Sequence, residues 1–468
     1  MPSLPRKAIL LFELLTAVLC LYFCWHAVSW AMQPGLSMML DEIGNLHMPQ
    51  GGLSFKFVTM LPHYAYNDRP VGLVLERCWF ELFGFHYRPQ LIFLLSIHSA
   101  NLVLGFLLFR RLGASVLASL AALCVFGTLS TTAQTATYLG AIFDVLCLFF
   151  MLASILAFLS RKPGATVLSA LLFFLALRTK EFAIVLPVLL LAIAYFENTL
   201  RRLWIHLAIW AVFLVQYAGL IRHMIATLPA GSAYTIRADL PTVLASFSYY
   251  TSLIFHEEWH PSRAYWILAV VLAMAGYAFY RRRGWILWAS AAYVLTLLPV
   301  TIIPGNRAPY YVYAPALFLS FAVALTAEDV LGLLIHSQRT RWVATAAAVA
   351  GVLIFVALFQ RGPYFKNRVG FTLLQRRTAQ VTAADVSALL PGLQPDSWLY
   401  VYHGANRPWL LIPGPCDYFN LPLHRQAYNC VLNDSLADLR KQFAAQKSAK
   451  YYLVYSADGS LRLDDGGP

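Results

Sequence analysis

Charge is what this chain has least of. Of its 468 residues, 22 are acidic and 35 are Lys or Arg, which makes 12% charged. A soluble domain carries about 25%. With 59% hydrophobic residues and a mean hydropathy of +0.62, a soluble globular protein is excluded and a polytopic membrane protein is implied. Long basic tracts are missing as well. Much of the net charge of +13 sits in six short clusters. The surplus therefore reads as a topology signal with contact to anionic headgroups, and no nucleic-acid partner is expected. Cysteine is sparse and shows no metal-ligand spacing. Cys20, Cys24, Cys78, Cys124 and Cys147 fall in or near apolar segments and read as small hydrophobes. Cys416 and Cys430 lie in a polar tail, where an oxidising compartment would let them pair. His256 and His260 flank Glu257-Glu258-Trp259, which is not the His-Glu-x-x-His order, so no metal site is expected there. There is no visible internal repeat and no low-complexity tract.

What is present is a series of apolar runs punctuated by the clusters Arg6-Lys7, Arg110-Arg111, Arg161-Lys162, Arg201-Arg202, Arg281-Arg282-Arg283 and Arg339 with Arg341. A span needs about 20 apolar residues to cross about 30 Å of hydrocarbon. The candidates are 8–31, 90–109, 113–130, 135–159, 164–178, 182–196, 203–221, 264–280, 285–303, 309–327 and 342–360. Positive charge marks the cytoplasmic side. All six clusters satisfy that rule together if an even number of spans separates each pair, so the N-terminus starts inside and eleven crossings leave the C-terminus outside. The first run is too long for a signal-peptide core and is read as the first membrane helix. The segment 241–255 is short and aromatic and is expected as an interfacial or re-entrant helix.

The expected fold is therefore an all-α polytopic membrane protein of about eleven transmembrane helices with a small C-terminal α/β domain. The membrane domain is placed at 1–360, with a long first outer loop at 32–89, and the soluble extracytoplasmic domain at 361–468. Leu73-Val74-Leu75 and Trp79-Phe80-Glu81-Leu82-Phe83 point to short amphipathic helices in that loop. In the tail, Leu373–Leu390 and Ser435–Ala445 read as helices, and Ser397–His403 and Tyr451–Tyr455 as strands.

The unusual polar residues fall on the side opposite the clusters. Asp41-Glu42 follows the first span and offers a general base, or else a solvated loop pair. Asn67-Asp68-Arg69-Pro70 combines a turn signal with an Arg able to hold phosphate by two parallel bonds. Arg178-Thr179-Lys180-Glu181 lies between two runs too short to cross alone, so it is expected to dip into a protein-lined cavity or to snorkel outward. Asp144 sits inside a span and needs a cation, with Lys180, Arg178 and Arg69 as candidates. His98 and Asn101 are expected to bond between helices. Asn306-Arg307, ahead of Tyr310-Tyr311-Val312-Tyr313, either binds a lipid phosphate or belongs to an aromatic belt.

Taken in order, these residues resemble the GT-C membrane glycosyltransferases, in particular the bacterial relatives of protein O-mannosyltransferases. Asp41-Glu42 stands where that family keeps an acidic motif. Arg69-Pro70, Phe83-Gly84 and His98 to Asn101 are similar to its Arg-Pro … Phe-Gly … His-x-x-Asn stretch. Tyr138-Leu139-Gly140 with Asp144-Val145-Leu146, Lys180-Glu181 with Pro187, and Arg307 with Tyr311-Val312-Tyr313-Ala314-Pro315 resemble later segments, although Ile142 or Phe143 stands where an Arg is often found. The resemblance covers roughly 8–330 and leaves the tail unmatched. It implies a glycosyltransferase of the inner membrane that moves a sugar from a polyprenyl-phosphate donor to a glycan, lipid or protein acceptor. Asp41 or Glu42 would be the catalytic base. Arg69, Asp68, Arg178, Lys180, Glu181 and Arg307 would bind substrate, and no cofactor is implied. A transporter of lipid-linked sugars and a polysaccharide polymerase or ligase are the rival readings.

Overall fold

A computed structural model describes residues 6–36, 69–84, 86–227, 235–255, 261–404, 419 and 428–464. In chain order the helices are α1 (Arg6–Ser29), α2 (Pro70–Phe83), α3 (Tyr87–Arg111), α4 (Val116–Thr128), α5 (Ser130–Thr137), α6 (Ile142–Leu159), α7 (Ala165–Thr179) and α8 (Leu186–Phe196). They continue as α9 (Trp204–Thr227), α10 (Leu240–Phe255), α11 (Pro261–Tyr280), α12 (Gly284–Thr301), α13 (Tyr313–Leu334), α14 (Gln338–Arg361) and α15 (Pro363–Leu389).

The protein is a multi-pass membrane protein. Among the described residues, seven helices are long and apolar enough to cross a bilayer, or eight if α4 and α5, bent by 66°, form one span. Ala165–Thr179, Glu181–Phe196 and Leu268–Tyr280 are apolar but shorter. Each of the eleven expected runs coincides with one of these helices or with a broken pair. Large apolar side chains face outward in stripes that water would penalise. On α1 these include Leu10, Leu14, Leu21 and Trp25, each more than half exposed.

Three tight turns share one closing device. After α3, Ala114 N–H bonds Phe109 O at 3.0 Å and Gly113 N–H bonds Arg110 O at 3.2 Å, with Gly113 at φ +92°. The same pair of bonds recurs at Asn198–Thr199 after α8 and at Arg282–Arg283 after α11. This Schellman arrangement uses the last free carbonyls of each helix and needs a left-handed residue, which Gly supplies without strain.

Those turns lie at one end of the bundle. Arg111 donates to Leu159 O, Arg161 pairs with Glu197, and Arg202 Nε donates to Thr166. Ser115 N–H bonds Glu328, Arg283 pairs with Asp329, and Phe12 packs on Trp342. These contacts bring the clusters at 110–111, 161–162, 201–202 and 281–283 to one basic end, and Phe12–Trp342 packs the first part of α1 against that of α14.

The pleated part is small. Strands β1 (Ser397–Tyr402), β2 (Tyr428–Asn433), β3 (Lys450–Tyr455) and β4 (Leu461–Leu463) form one sheet in the order β2-β1-β3-β4, with helix α16 (Leu436–Ala445) between β2 and β3. β1 is parallel to both neighbours, and β4 is antiparallel to β3. The period of two divides β1. Tyr400 joins Leu439 of α16 and Tyr452, whereas Leu399 and Val401 join the core that includes Ala383 and Val386 of α15. Thr382 donates to Gly459 O at 2.7 Å, and Leu461 N–H bonds Asp385 at 2.8 Å, which fixes the second half of α15 to the sheet.

Two expectations change in detail. The break expected between 130 and 135 is the short helix α5. Of its buried hydroxyls, Thr135 bonds Thr131 O and Thr137 bonds Ala133 O within the helix, whereas those of Thr131 and Thr132 have no hydrogen-bond partner among the described residues. The run 241–255 is a helix packed into the bundle, where Thr251 bonds the Tyr293 hydroxyl of α12 at 2.6 Å. Cys430 is disulfide-bonded, while Cys20, Cys24, Cys78, Cys124 and Cys147 are free. Cys416, its expected partner, lies outside the described residues.

Candidate functional site

At the end of the bundle away from the arginine clusters, α7 stops at Thr179 and the chain passes through Lys180 in an extended conformation (φ −158°, ψ 144°) before a turn of 3-10 helix at Glu181–Val185. This break projects two neighbouring charges in different directions. Lys180 Nζ lies 2.5 Å from both carboxylate oxygens of Asp144 on the first turn of α6, and the two side chains are 1% and 2% exposed. Glu181 accepts the fork of Arg69, with Nε at 3.0 Å and Nη2 at 2.6 Å.

Arg69 reaches Glu181 because α2 starts beside α6. Pro70 occupies the first helical turn, where its missing N–H costs nothing. Gly72 then lies flat on the Phe143 ring, and a Cβ there would sit 2.4 Å from a ring carbon. The same ring faces the Arg69 guanidinium at 5.4 Å. Burial works against the charge on Arg69, but Glu181 beside it more than offsets this, so its proton is held more tightly than usual.

Aromatic rings complete the enclosure. Lys180 Nζ lies 4.8, 5.1 and 4.7 Å from the ring centres of Phe182, Tyr310 and Tyr311. Tyr311 packs against Tyr250 of α10, and its hydroxyl accepts from Asn306 at 2.9 Å. Next to it, Arg307 lies over Tyr249 at 5.0 Å. No carboxylate among the described residues pairs with Arg307, and its Nε is buried without a partner. Deeper in the bundle, the Tyr313 hydroxyl joins His98 at 2.6 Å and Asn101 at 3.3 Å, and Asn101 also donates to Val145 O.

Of the sequence-derived site residues, Arg69, Lys180 and Glu181 come together. Arg178 is buried in the last turn of α7, and Arg307 joins the group through Tyr249, Tyr250 and Tyr311. Asp41, Glu42 and Asp68 lie outside the described residues, which break off at Leu36 and resume at Arg69. No sequence pattern marks Arg376. It sits on α15, wholly buried, 4.0 Å over the Tyr87 ring and bonded to Thr137 O at 3.0 Å, where the Tyr87 hydroxyl also donates. Nothing in Gln375-Arg376-Arg377 distinguishes the buried Arg376 from the exposed Arg377.

Chemically, the described residues at this end offer two ion pairs, the Arg307 guanidinium with a buried Nε that makes no hydrogen bond, and a wall of tyrosines. Ionisable groups at such depth are costly and default to a functional role. The chain matches no protein-family model and no curated protein.

Proposed function

We propose that the protein is an inner-membrane glycosyltransferase of GT-C type, taking a sugar from a polyprenyl phosphate and placing it on an acceptor at the extracytoplasmic face. In this reading the chain crosses eleven times, with its basic end and N-terminus in the cytoplasm and its sheet outside. The observation that carries the reading is the convergence of Asp144–Lys180, Arg69–Glu181 and Arg307 at the end opposite the arginine clusters.

Arg307 holds the donor phosphate, because Lys180 and Arg69 are already committed to carboxylates. Those two pairs position the wall: each neutralises a charge that would otherwise be buried alone. Asp41 or Glu42 takes the proton from the acceptor hydroxyl. Its oxygen attacks the anomeric carbon, the bond to the phosphate oxygen breaks, and the electron pair leaves on a phosphate stabilised by cations. Direct displacement inverts the anomeric centre.

One observation favours the transporter reading. The bundle has a 66° bend at α4–α5 and a break at Lys180, and broken helices are common in transporters. Purified protein in detergent, given a polyprenyl-phosphate sugar and an acceptor alcohol, should release free polyprenyl phosphate, and Asp41→Asn should abolish that release while the protein remains folded. Bound but intact donor would favour the transporter.

A further inference from the structure

Arg307 sits outside regular structure, on the segment that joins α12 to the 3-10 turn Pro309–Val312. An arginine has a long, flexible stem, and ordering it costs entropy. The residue before it is tied three times. Asn306 N–H bonds Ile303 O at 3.3 Å, closing a turn with Pro304 at its second position, where a fixed φ fits. The Asn306 carbonyl accepts from the Tyr250 hydroxyl at 3.3 Å, and its Nδ2 donates to the Tyr311 hydroxyl at 2.9 Å. The two tyrosines pack edge to face, with ring centres 6.2 Å apart. The backbone just ahead of Arg307 is therefore fixed from α10 and from the 3-10 turn as well as from its own turn.

The same helix then meets the side chain. Tyr249, next to Tyr250 on α10, places its ring centre 5.0 Å from the Arg307 guanidinium carbon. Neighbouring helical residues point about 100° apart, which lets one pair of tyrosines serve the Asn306 backbone and the Arg307 side chain together. α10 is itself anchored to α12, where Thr251 meets the Tyr293 hydroxyl at 2.6 Å and Phe247 packs on the Tyr293 ring. A ring on the guanidinium face leaves the N–H edge for an anion, and the buried Nε has no partner.

We propose that Tyr250 and Asn306 are positioning residues that aim Arg307 at the donor phosphate, an assignment that rests on the donor class argued above. Neither touches the phosphate. They limit the freedom that Arg307 would lose on binding, so removing them weakens donor binding and leaves the transfer step alone.

The test is a double-mutant cycle on the full-length protein in detergent. It is read by the Kd for undecaprenyl phosphate and, with the sugar-bearing donor, by KM and kcat. Tyr250→Phe keeps the ring and removes one hydroxyl. It should raise Kd and donor KM about three- to tenfold, the worth of one neutral hydrogen bond, with kcat and the thermal midpoint unchanged. Asn306→Ala, on a half-buried residue, runs the same cycle independently and should shift Kd in the same direction. With Arg307→Gln already present, either change should add less than about twofold, because no guanidinium is left to aim. A wild-type Kd in both single variants, or full additivity with Arg307→Gln, would overturn the assignment. The two readouts separate the ideas. A Kd that follows the cycle without any sugar release supports the positioning role and defeats the transferase. Sugar release with a Kd that ignores the cycle defeats the positioning role alone, and a wild-type protein that binds no undecaprenyl phosphate defeats both.

Discussion

The two ends of the bundle use the same kinds of charge in opposite ways. At the basic end, Arg161–Glu197 and Arg283–Asp329 are solvated, with arginines 80% and 50% exposed, and much of the remaining charge meets backbone carbonyls. At the other end Asp144–Lys180 is almost wholly buried. Exposed pairs contribute little because water screens them. A buried pair is costly to form and much more costly to halve. On the proposed topology the basic end faces the cytoplasm. The far end keeps its charge buried and paired.

That contrast is sharpest at Lys180. Lys180→Met should cost about 3–5 kcal/mol by leaving Asp144 charged and alone. Adding Asp144→Leu should recover much of the loss, as read by thermal unfolding in detergent. If the single and double variants were equally unstable, burial of the pair would not be the cause. Next in size, Arg376→Ala should cost about 2–3 kcal/mol through its lost ring contact and hydrogen bond. Faster hydrogen exchange in β1 and β3 should accompany it, because α15 joins the sheet to the bundle. Gly72→Ala should cost about 1–2 kcal/mol by forcing Phe143 away and shifting Arg69. At the basic end, Arg161→Gln should change the midpoint by no more than about 0.5 kcal/mol equivalent. A large effect there would erase the distinction between the two ends.

Much of this could be read in the sequence, for physical reasons that also mark its limits. Hydropathy depends on local composition, so each expected run is found as a helix. Positive clusters are local as well, and the structure brings those at 110–111, 161–162, 201–202 and 281–283 to one end. Asp144 announced its need for a cation because a lone carboxylate in an apolar run is costly, and Lys180 was among the three candidates. The Arg69–Glu181 pair joins residues 112 apart, and no local pattern encodes such a contact. Strand β2, Tyr428–Asn433, was missed because Asn at its second and last positions breaks the apolar alternation, and β4 is three residues long. Arg376 and Arg377 are identical in type and differ only in which side of α15 meets Tyr87.

The most direct measurement compares one arginine from each end in the same assay. With a polyprenyl-phosphate sugar as donor, Arg307→Gln should raise the donor KM roughly ten- to hundredfold, the loss of one charge-assisted phosphate contact. Arg202→Gln at the basic end should leave it unchanged. Equal KM values for the two variants, or no release of polyprenyl phosphate by the wild-type protein, would contradict the account.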